Sequence, residues 1–492
     1  MKKILSSVLA LVLVSSLSAQ ISMDDFIKKQ QNAFNSFVSD KQAEFDAFRQ
    51  QQNDRYAEFM KNNWERYDAM PIAIPEDDEF NIPPVVYVPP VVEPEEDSKP
   101  IVIDEDVIEV PVPSPQPEPI APVVPHEEIL TTPFAFTFFG TKISVDFPID
   151  ATLKLNGVSE NELSNAWKLL SSKYFDATVS GVLNLRRSLS LCDWGYLMLI
   201  QTLAENKYNP NEAIFIQAFL LTQSGYKVRL ASDDDGILYL LIATEHDMCY
   251  QQYFNVDGDK FYALNSQDKT LYICKAFYEK EQSFSLLLSK EQQLAIALSE
   301  PRKLTSQYGV SVTITTNKNT IDFLNTYPKA YFNEDFTTKW ALNANTPLDL
   351  VTKAALYPAI RESIAGLTER DAVNKILNFM QTAFVYEYDN TVWGYDRAFF
   401  PAETLYYPYA DCEDRAILFS RIIRDVMGLR VVLLYYPGHL ATAVEFTEEV
   451  SGDYLIYQGC RYVVCDPTYI YASLGQTMPG MNNSTAKVIV LE

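Results

Sequence analysis

The sequence is poor in the residue types that hold metals or cross-link small folds. Its 492 residues include six cysteines and three histidines. Neither a C-x-x-C pair nor an H-E-x-x-H motif occurs, and both are common zinc-site patterns. The cysteines also lack the close, regular spacing of a disulfide framework. We therefore expect no metal and no cofactor, and a fold stabilised by packed apolar cores.

Positive charge is also scarce. The chain has 40 lysines and arginines against 65 aspartates and glutamates, a net charge of −25. Nucleic acids and anionic membrane surfaces attract proteins with an excess of positive charge, so both are excluded as partners. After the first twenty residues no apolar run approaches the roughly 20 residues that span a bilayer. We expect no transmembrane segment.

The N-terminus has the layout of a secretory signal peptide. Residues 1–19 carry two lysines, then an apolar run, then small residues ending at Ala19. No cysteine lies near that junction, so a lipoprotein anchor is not indicated. The sequence predicts an exported protein, periplasmic or secreted.

Residues 20–70 contain aromatic side chains at intervals of eleven residues. Eleven residues make three helical turns of about 3.67 residues each, so such side chains stay on one stripe. The pattern predicts a long amphipathic helix. Two alternatives stay open: the stripe self-associates as a coiled coil, or it packs on the globular body. The two series are Phe26, Phe37, Phe48 and Phe59, and Phe34, Phe45, Tyr56 and Tyr67.

Residues 71–130 have the composition of a linker. They hold 15 of the 27 prolines, and 15 acidic residues against the single basic residue Lys99. Such a segment repels itself and has few ways to bury apolar surface, so we expect an extended Pro-rich acidic linker with little fixed structure. The alternative is that its Val- and Ile-rich patches lie along a domain surface as edge strands.

The rest of the chain contains an internal repeat. Residues 211–231 match residues 414–434 at a shift of 203, and residues 254–267 match 455–468 at a shift of 201. Both copies of the first match indicate a buried helix, a glycine stop and a buried strand. The repeat predicts an α+β protein with two units, residues 131–305 and 306–492. The second copy carries about 23 extra residues (203 − 180) just before Cys412, since residues 201–202 match 381–382 at a shift of 180.

Three residues of the second copy have the types and order of a catalytic triad. Asp411 is a natural N-cap, which places Cys412 in the first turn of a helix, where backbone N–H groups and the helix dipole lower a thiol pKa. His439 opens a strand, and Asp466 ends a later strand before Pro467. A thiol, an imidazole and a carboxylate in this context predict a nucleophile, a base and an orienting group.

These motifs resemble the transglutaminase-like superfamily, whose fold is related to that of papain-like cysteine proteases. The resemblance rests on "DCEDRAILFSRIIRD", "YYPGHLATAVEF" and "YVVCDPTY". It covers roughly residues 325–480, and residues 131–305 only as a degenerate version. It implies two tandem transglutaminase-like units with Cys412, His439 and Asp466 as the catalytic residues of the second. The first has Asn209, Ile237 and Asn265 at the matching positions, so we expect it to serve as a brace or recognition surface.

The resemblance implies thiol acyl chemistry on amide bonds but leaves the reaction open. Water is present at roughly 55 M and nothing in the sequence marks an amine channel, so we favour hydrolysis by a peptidase or amidase. The alternatives are a protein-glutamine cross-linking transglutaminase and a non-catalytic binding module on a stalk. The expected partner is a peptide, protein or cell-wall fragment. The aromatic span 384–409 either rims the cleft, with Trp393 supporting the transition state, or packs its own loop down.

Overall fold

The computed structural model describes residues 2–74, 82–88, 101–102, 107–109, 114–264, 266 and 270–491. The protein is a mixed α+β fold, as predicted from the sequence. All six cysteines are free thiols. The helices of the described residues are α1 Lys2–Met60, α2 Glu160–Leu170, α3 Asp176–Ser188, α4 Asp193–Lys207, α5 Pro210–Gln223, α6 Lys318–Leu324, α7 Lys339–Asn345, α8 Leu350–Ile364, α9 Glu369–Ala383, α10 Asp389–Val392, α11 Pro401–Tyr406 and α12 Cys412–Ile422.

The strands form two large sheets and three strand pairs. Strand β8 pairs with β14 and so joins the first half of the body to the second. The strands are β1 Trp64–Asp68, β2 Ile101–Val102, β3 Val107–Ile108, β4 Thr131–Phe138, β5 Thr141–Pro148, β6 Val228–Ser232, β7 Leu238–Ala243, β8 Asp247–Met248, β9 Tyr253–Val256, β10 Asp259–Ala263, β11 Thr270–Cys274, β12 Arg302–Thr305, β13 Ser311–Ile314, β14 Ala330–Tyr331, β15 Val431–Tyr436, β16 His439–Glu445, β17 Tyr454–Tyr457, β18 Cys460–Cys465 and β19 Lys487–Val490.

The two large sheets share one strand order. The first is β1-β11-β6-β7-β10-β9, and the second, read from its β3 edge, is β3-β19-β15-β16-β18-β17-β2. The five strands β11 to β9 and the five strands β19 to β17 are antiparallel throughout. Each half also begins with a hairpin, β4–β5 or β12–β13. The expected boundary after residue 305 cuts the second hairpin, because Arg302 already pairs with Ile314. The second half therefore starts near residue 302.

Helices α5 and α12 occupy the same place in the two halves, with one difference in length. Asn209 and Asp411 are their N-caps, each in a capping box. From N-cap to the glycine stop is 16 residues in the first half (225 − 209) and 17 in the second (428 − 411). A π-helical turn over Ile423–Met427 accommodates the extra residue. Cap for cap, the counterpart of Cys412 is thus Pro210 rather than Asn209. Asn265 lies outside the described residues.

Among the residues of α1 whose side chains the structure describes, those that pack on the body lie in its C-terminal part, from Asp46 onward. The Tyr56 ring lies between those of Trp167 and Tyr278, with centroids 4.2 and 4.9 Å away. Upstream on the same stripe, four phenylalanines are 40–66% exposed: Phe34, Phe37, Phe45 and Phe48. The packing alternative therefore describes the helix from about Arg49 to Met60, and self-association stays a prediction for the exposed phenylalanines upstream.

The helix ends ten residues earlier than the expected residue 70. It stops at Met60, and Trp64–Asp68 turns into strand β1, which pairs with β11 along all five residues. Pairing with a sheet edge provides hydrogen-bond partners for the backbone N–H and C=O groups of these residues. The strand is therefore more stable here than a continuation of the helix through Tyr67, although the eleven-residue repeat extends that far.

The described parts of the Pro-rich segment dock on both halves: Ala73 and residues 116–120 form hydrogen bonds with the first half, whereas β2, β3 and Val86 pair with the second. Strand β2 pairs in parallel with β17, and β3 pairs in parallel with β19. Upstream, Val86 forms a bridge with Ile470. The expectation of little fixed structure is wrong for these residues, and the edge-strand alternative is confirmed. The physical reason is that a sheet edge offers unpaired N–H and C=O groups, which an extended Val- and Ile-rich segment can satisfy.

The positions of β2 and β3 require the second sheet to curl. They are its two outermost strands, six inter-strand spacings apart, which is about 29 Å in a flat sheet. Val102 and Val107 are five residues apart in the chain, a reach of at most about 18 Å. The two edges must therefore approach each other, as in a barrel that is nearly closed.

The apolar core runs through both halves. One continuous cluster of buried side chains includes Trp167 and Phe219 from the first half and Phe379 and Phe419 from the second. A smaller cluster surrounds Cys412. Among the described residues, no helix combines the length and the apolar character that crossing a bilayer requires.

The docking of α1 predicts a sharp contrast between two aromatic residues of one stripe. Tyr56→Ala removes a buried, doubly stacked ring and should destabilise the protein by about 3 kcal/mol. Phe45→Ala, at a site 40% exposed, should change stability by less than about 0.5 kcal/mol. Urea unfolding followed by tryptophan fluorescence measures both. Equal effects of the two substitutions would contradict the described docking.

Candidate active site

Cys412 is the first residue of a helix that is buried from its start. Every residue from Cys412 to Ser420 is buried, and Cys412 itself is 1% exposed. The side chain of Asp411 accepts a hydrogen bond from the Asp414 N–H at 3.4 Å, and the Asp414 carboxylate accepts one from the Asp411 N–H at 3.3 Å. This reciprocal cap fixes where the helix begins and hence where the thiol lies.

His439 opens strand β16 directly after a tight hairpin turn. Residue Tyr436, the last of β15, pairs with His439, and the turn between them consists of Pro437 and Gly438. Gly438 has φ of 78°, a left-handed conformation that glycine adopts without strain. The turn therefore places the imidazole at the end of the sheet.

Asp466 follows the last residue of β18, the strand beside β16. Its Oδ2 lies 2.9 Å from His439 Nε2. Its Oδ1 accepts the backbone N–H groups of Thr468 at 2.8 Å and Tyr469 at 3.1 Å. With one oxygen held by the backbone and the other on the imidazole, the carboxylate has one orientation and sets that of His439.

The structure brings the three predicted residues to one end of the second sheet. Leu440, the residue after His439, packs in the same apolar cluster as Cys412, and its backbone N–H faces the thiol closely enough to lower the thiol pKa. His439 Nδ1 is buried and has no hydrogen-bond partner among the described residues, and these include no hydrogen bond between Cys412 and His439. The imidazole thus has one nitrogen on Asp466 and the other unoccupied, next to the strand position that contacts the thiol.

The expected lowering of the thiol pKa is wrong for this arrangement. Burial raises the pKa of Cys412 well above its usual value, and the carboxylates of Asp411 and Glu413 raise it further. The Leu440 N–H acts in the opposite direction but does not outweigh them. Helix position alone therefore does not decide the protonation of a thiol that has no access to water.

The first turn of α12 lies in a group of buried carboxyl groups. Burial raises the pKa of Asp389 to about 7 and those of Asp411 and Glu413 well above the usual range. One oxygen from each of these three lies within 4.8 Å of the others, close enough to share a cation. A second such group, Asp46, His126 and Asp176, has its Asp176 carboxylate 2.7 Å from Arg49.

Two further residues support the site, and the sequence motifs did not assign them a role. The Gln381 amide donates to the carbonyl oxygens of Asp466, Tyr469 and Ala472 at 2.7–3.1 Å, which fixes the loop after β18. Trp340 Nε1 donates to Glu413 Oε2 at 3.1 Å, and its ring stacks on Tyr435. One sequence feature could have identified Gln381, namely its match to Gln201 in the internal repeat, whereas no sequence feature pointed to Trp340.

The extra segment of the second half covers the thiol. Tyr386 packs against the apolar cluster that contains Cys412, and its hydroxyl is buried without a partner among the described residues. Trp393 instead packs edge-on against Phe399 and Tyr407, with Arg397 over its ring. Of the two alternatives for Trp393, the structure therefore fits a ring that packs its own loop better than a ring that supports the transition state.

No family model matches the chain, and no match was found among curated proteins or solved structures. The transglutaminase-like resemblance accordingly rests on the three motifs and stays a prediction. The geometry of Cys412, His439 and Asp466 stands independently of it, because it follows from the strand order and the hydrogen bonds described above.

The buried carboxyl of Glu413 predicts a pH-dependent effect of neutralising it. Its Oε1 has no partner among the described residues, and burial followed by Asp396 and Asp411 raises its pKa. A raised carboxyl pKa stabilises the fold at low pH, and that stability is lost as pH rises above the unfolded value of about 4.3. Glu413→Gln should therefore stabilise the protein at pH 7.5, by about 1–3 kcal/mol, and by much less at pH 4.

Glu403 is the matched control for this measurement. It is also a buried glutamate of the second half, but it lies 2.7 Å from Arg397. Burial also raises the pKa of Glu403, but Arg397 opposes that effect, so Glu403→Gln should stabilise the protein at pH 7.5 much less than Glu413→Gln does. Thermal unfolding at both pH values measures the two variants. A destabilising effect of Glu413→Gln at pH 7.5 would show that the carboxylate is needed in its charged form.

Proposed function

We propose that the protein is an exported cysteine-dependent acyl-transfer enzyme that hydrolyses amide bonds in peptides, proteins or cell-wall fragments. The observation that carries the proposal is the pair of His439 Nε2 and Asp466 Oδ2, 2.9 Å apart, beside a thiol at the start of a buried helix. A nucleophile, a base and an orienting carboxylate are the minimum set for this chemistry. Export rests on the predicted signal peptide.

The hydrogen bonds assign each group one role. Asp466 holds the Nε2–H of His439, which leaves the Nδ1 lone pair to take the thiol proton. The thiolate adds to the amide carbonyl, and the C–N bond breaks as His439 returns that proton to the leaving amine. Water, deprotonated by the same nitrogen, then cleaves the thioester and releases the acid and the thiol. The N–H groups of Cys412 and Glu413 in the first turn of α12 are candidate donors to the oxyanion, whereas that of Asp414 is held by the Asp411 side chain.

The cover over the thiol has to open for this reaction. Cys412, His439 and Asp466 are each at most 2% exposed, and Tyr386 packs on the cluster around the thiol. Opening would admit substrate and water together and would remove the burial that raises the thiol pKa. We favour hydrolysis for that reason, whereas a cross-linking transglutaminase needs a channel that admits an amine and excludes water.

One observation favours a second candidate, a non-catalytic binding module. The same enclosure and the raised pKa of Cys412 are what a core thiol would have. In that case the fold would present a peptide- or cell-wall-binding surface at the end of the α1 stalk. The first half, with proline in place of the thiol, already fits this role and would serve as brace or recognition surface under either candidate.

Alkylation at low pH separates the two candidates. If His439 takes the thiol proton when the cover opens, iodoacetamide at pH 6.5 should label Cys412 faster than Cys465, which is equally buried in the same half. His439→Ala should then slow the labelling of Cys412 at least tenfold. Mass spectrometry of each labelled cysteine measures the rates. Equal, slow labelling of both thiols would support the binding module.

Activity assays test the direction of acyl transfer. Peptides and peptidoglycan-derived fragments are incubated with the protein, with and without a labelled primary amine. We expect cleavage that falls at least a thousandfold in Cys412→Ala and stays unchanged in Cys460→Ala, a thiol of the same sheet outside the site. Asp466→Asn should lower kcat while leaving the fold intact. Amine incorporation without cleavage would show a cross-linking enzyme instead.

A further inference from the structure

We propose that the first half of the protein binds a small ligand through an oxyanion, a carboxylate or phosphate group, in a cavity at the start of α4. The cavity has a volume of about 490 Å³, within the range of small-molecule sites. This inference does not depend on the chemistry of Cys412. The wall residues used below are Gln116, Arg186, Arg187, Asp193, Ser285 and Lys290.

Unpaired positive charge distinguishes this cavity from its surroundings. Arg186, Arg187 and Lys290 line it, and none of the three has an ion pair with any residue that the structure describes. Arg187 and Lys290 are exposed at the mouth. In a chain of net charge −25, three cations without ion pairs along one cavity, two of them with no acidic neighbour, indicate a site for an anion from outside the chain.

Arg186 supplies the buried donor of the site. It is 6% exposed. Its Nη1 donates to the Tyr226 hydroxyl at 3.3 Å and its Nη2 to the Pro117 carbonyl at 3.1 Å. Its Nε–H is buried and has no acceptor among the described residues. Arg186 lines the cavity, and its guanidinium is held in place by the two hydrogen bonds of Nη1 and Nη2, so it supplies a fixed positive charge at the wall that would attract an oxyanion.

Asp193, the acidic residue among these wall residues, does not form an ion pair with the cations that would bind the ligand. Asp193 Oδ1 accepts hydrogen bonds from Tyr226 at 2.7 Å and Gln116 at 3.1 Å, and its Oδ2 accepts the Ser285 N–H at 2.9 Å. Both oxygens are thus satisfied within the protein. Tyr226 links Asp193 to Arg186, so this carboxylate offsets part of the charge of Arg186 but leaves Arg187 and Lys290 uncompensated.

Binding measurements with defined probes test the proposal. The mature chain carrying Cys412→Ala, which prevents turnover, is titrated calorimetrically with three probes. They are N-acetyl-dialanine as the free acid, the same dipeptide with an amidated C-terminus, and inorganic phosphate. We expect the free acid or phosphate to bind and the amide to bind at least tenfold more weakly. Binding of the acid identifies a carboxylate ligand, and binding of phosphate alone identifies a phosphate ligand.

Charge-removing variants locate the binding. The double substitution Arg187→Gln with Lys290→Gln changes two exposed residues and should weaken binding at least tenfold. The matched control, Lys154→Gln with Lys303→Gln, removes the same charge from exposed positions elsewhere and should leave affinity within twofold. Three results would overturn the proposal: no binding of either anion, equal binding of acid and amide, or equal weakening in the two double variants.

Discussion

The candidate site depends on the burial of the first turn of α12, where a thiol and three carboxyl groups are removed from water together. Each buried polar atom needs a partner, and the partners come from distant parts of the chain: the indole of Trp340 for Glu413, and the Phe399 N–H for Asp414 at 2.8 Å. These two contacts tie α7 and the extra segment to the helix that carries Cys412. The requirement to satisfy acidic groups therefore also holds the cover over the thiol.

Local patterns in the sequence were enough to place Cys412, His439 and Asp466 on their elements. Asp411 marks the helix start, glycine and proline mark the turn before His439, and Pro467 ends the strand before Asp466, because caps and turns depend on neighbouring residues. The protonation of Cys412 was not predictable in this way. Burial raises the thiol pKa most, and the neighbouring Asp411 and Glu413 raise it further. The burial comes from tertiary packing, including that of Tyr386, which no local pattern records.

The Pro-rich segment and the repeat are two further cases in which tertiary structure decided what the sequence left open. Composition indicated a solvated linker, but whether a Val- and Ile-rich stretch stays extended in water depends on whether a sheet edge lies within reach. The shift of 203 between the copies matched the glycine stops, while the caps lie 202 apart (411 − 209). The π-turn at Ile423–Met427 absorbs that residue, and only a structure reveals which side chain replaces the thiol.

The pairing of β2 and β3 with the second sheet also constrains how the protein is made. Ile101 pairs with Leu455 and Val107 with Val488, sequence separations of 354 (455 − 101) and 381 (488 − 107) residues. During synthesis the segment that carries β2 and β3 therefore emerges long before β17 and β19, the strands with which it pairs. The first half can complete its sheet from residues up to Cys274, whereas the second must remain open-edged until almost the last residue has left the ribosome.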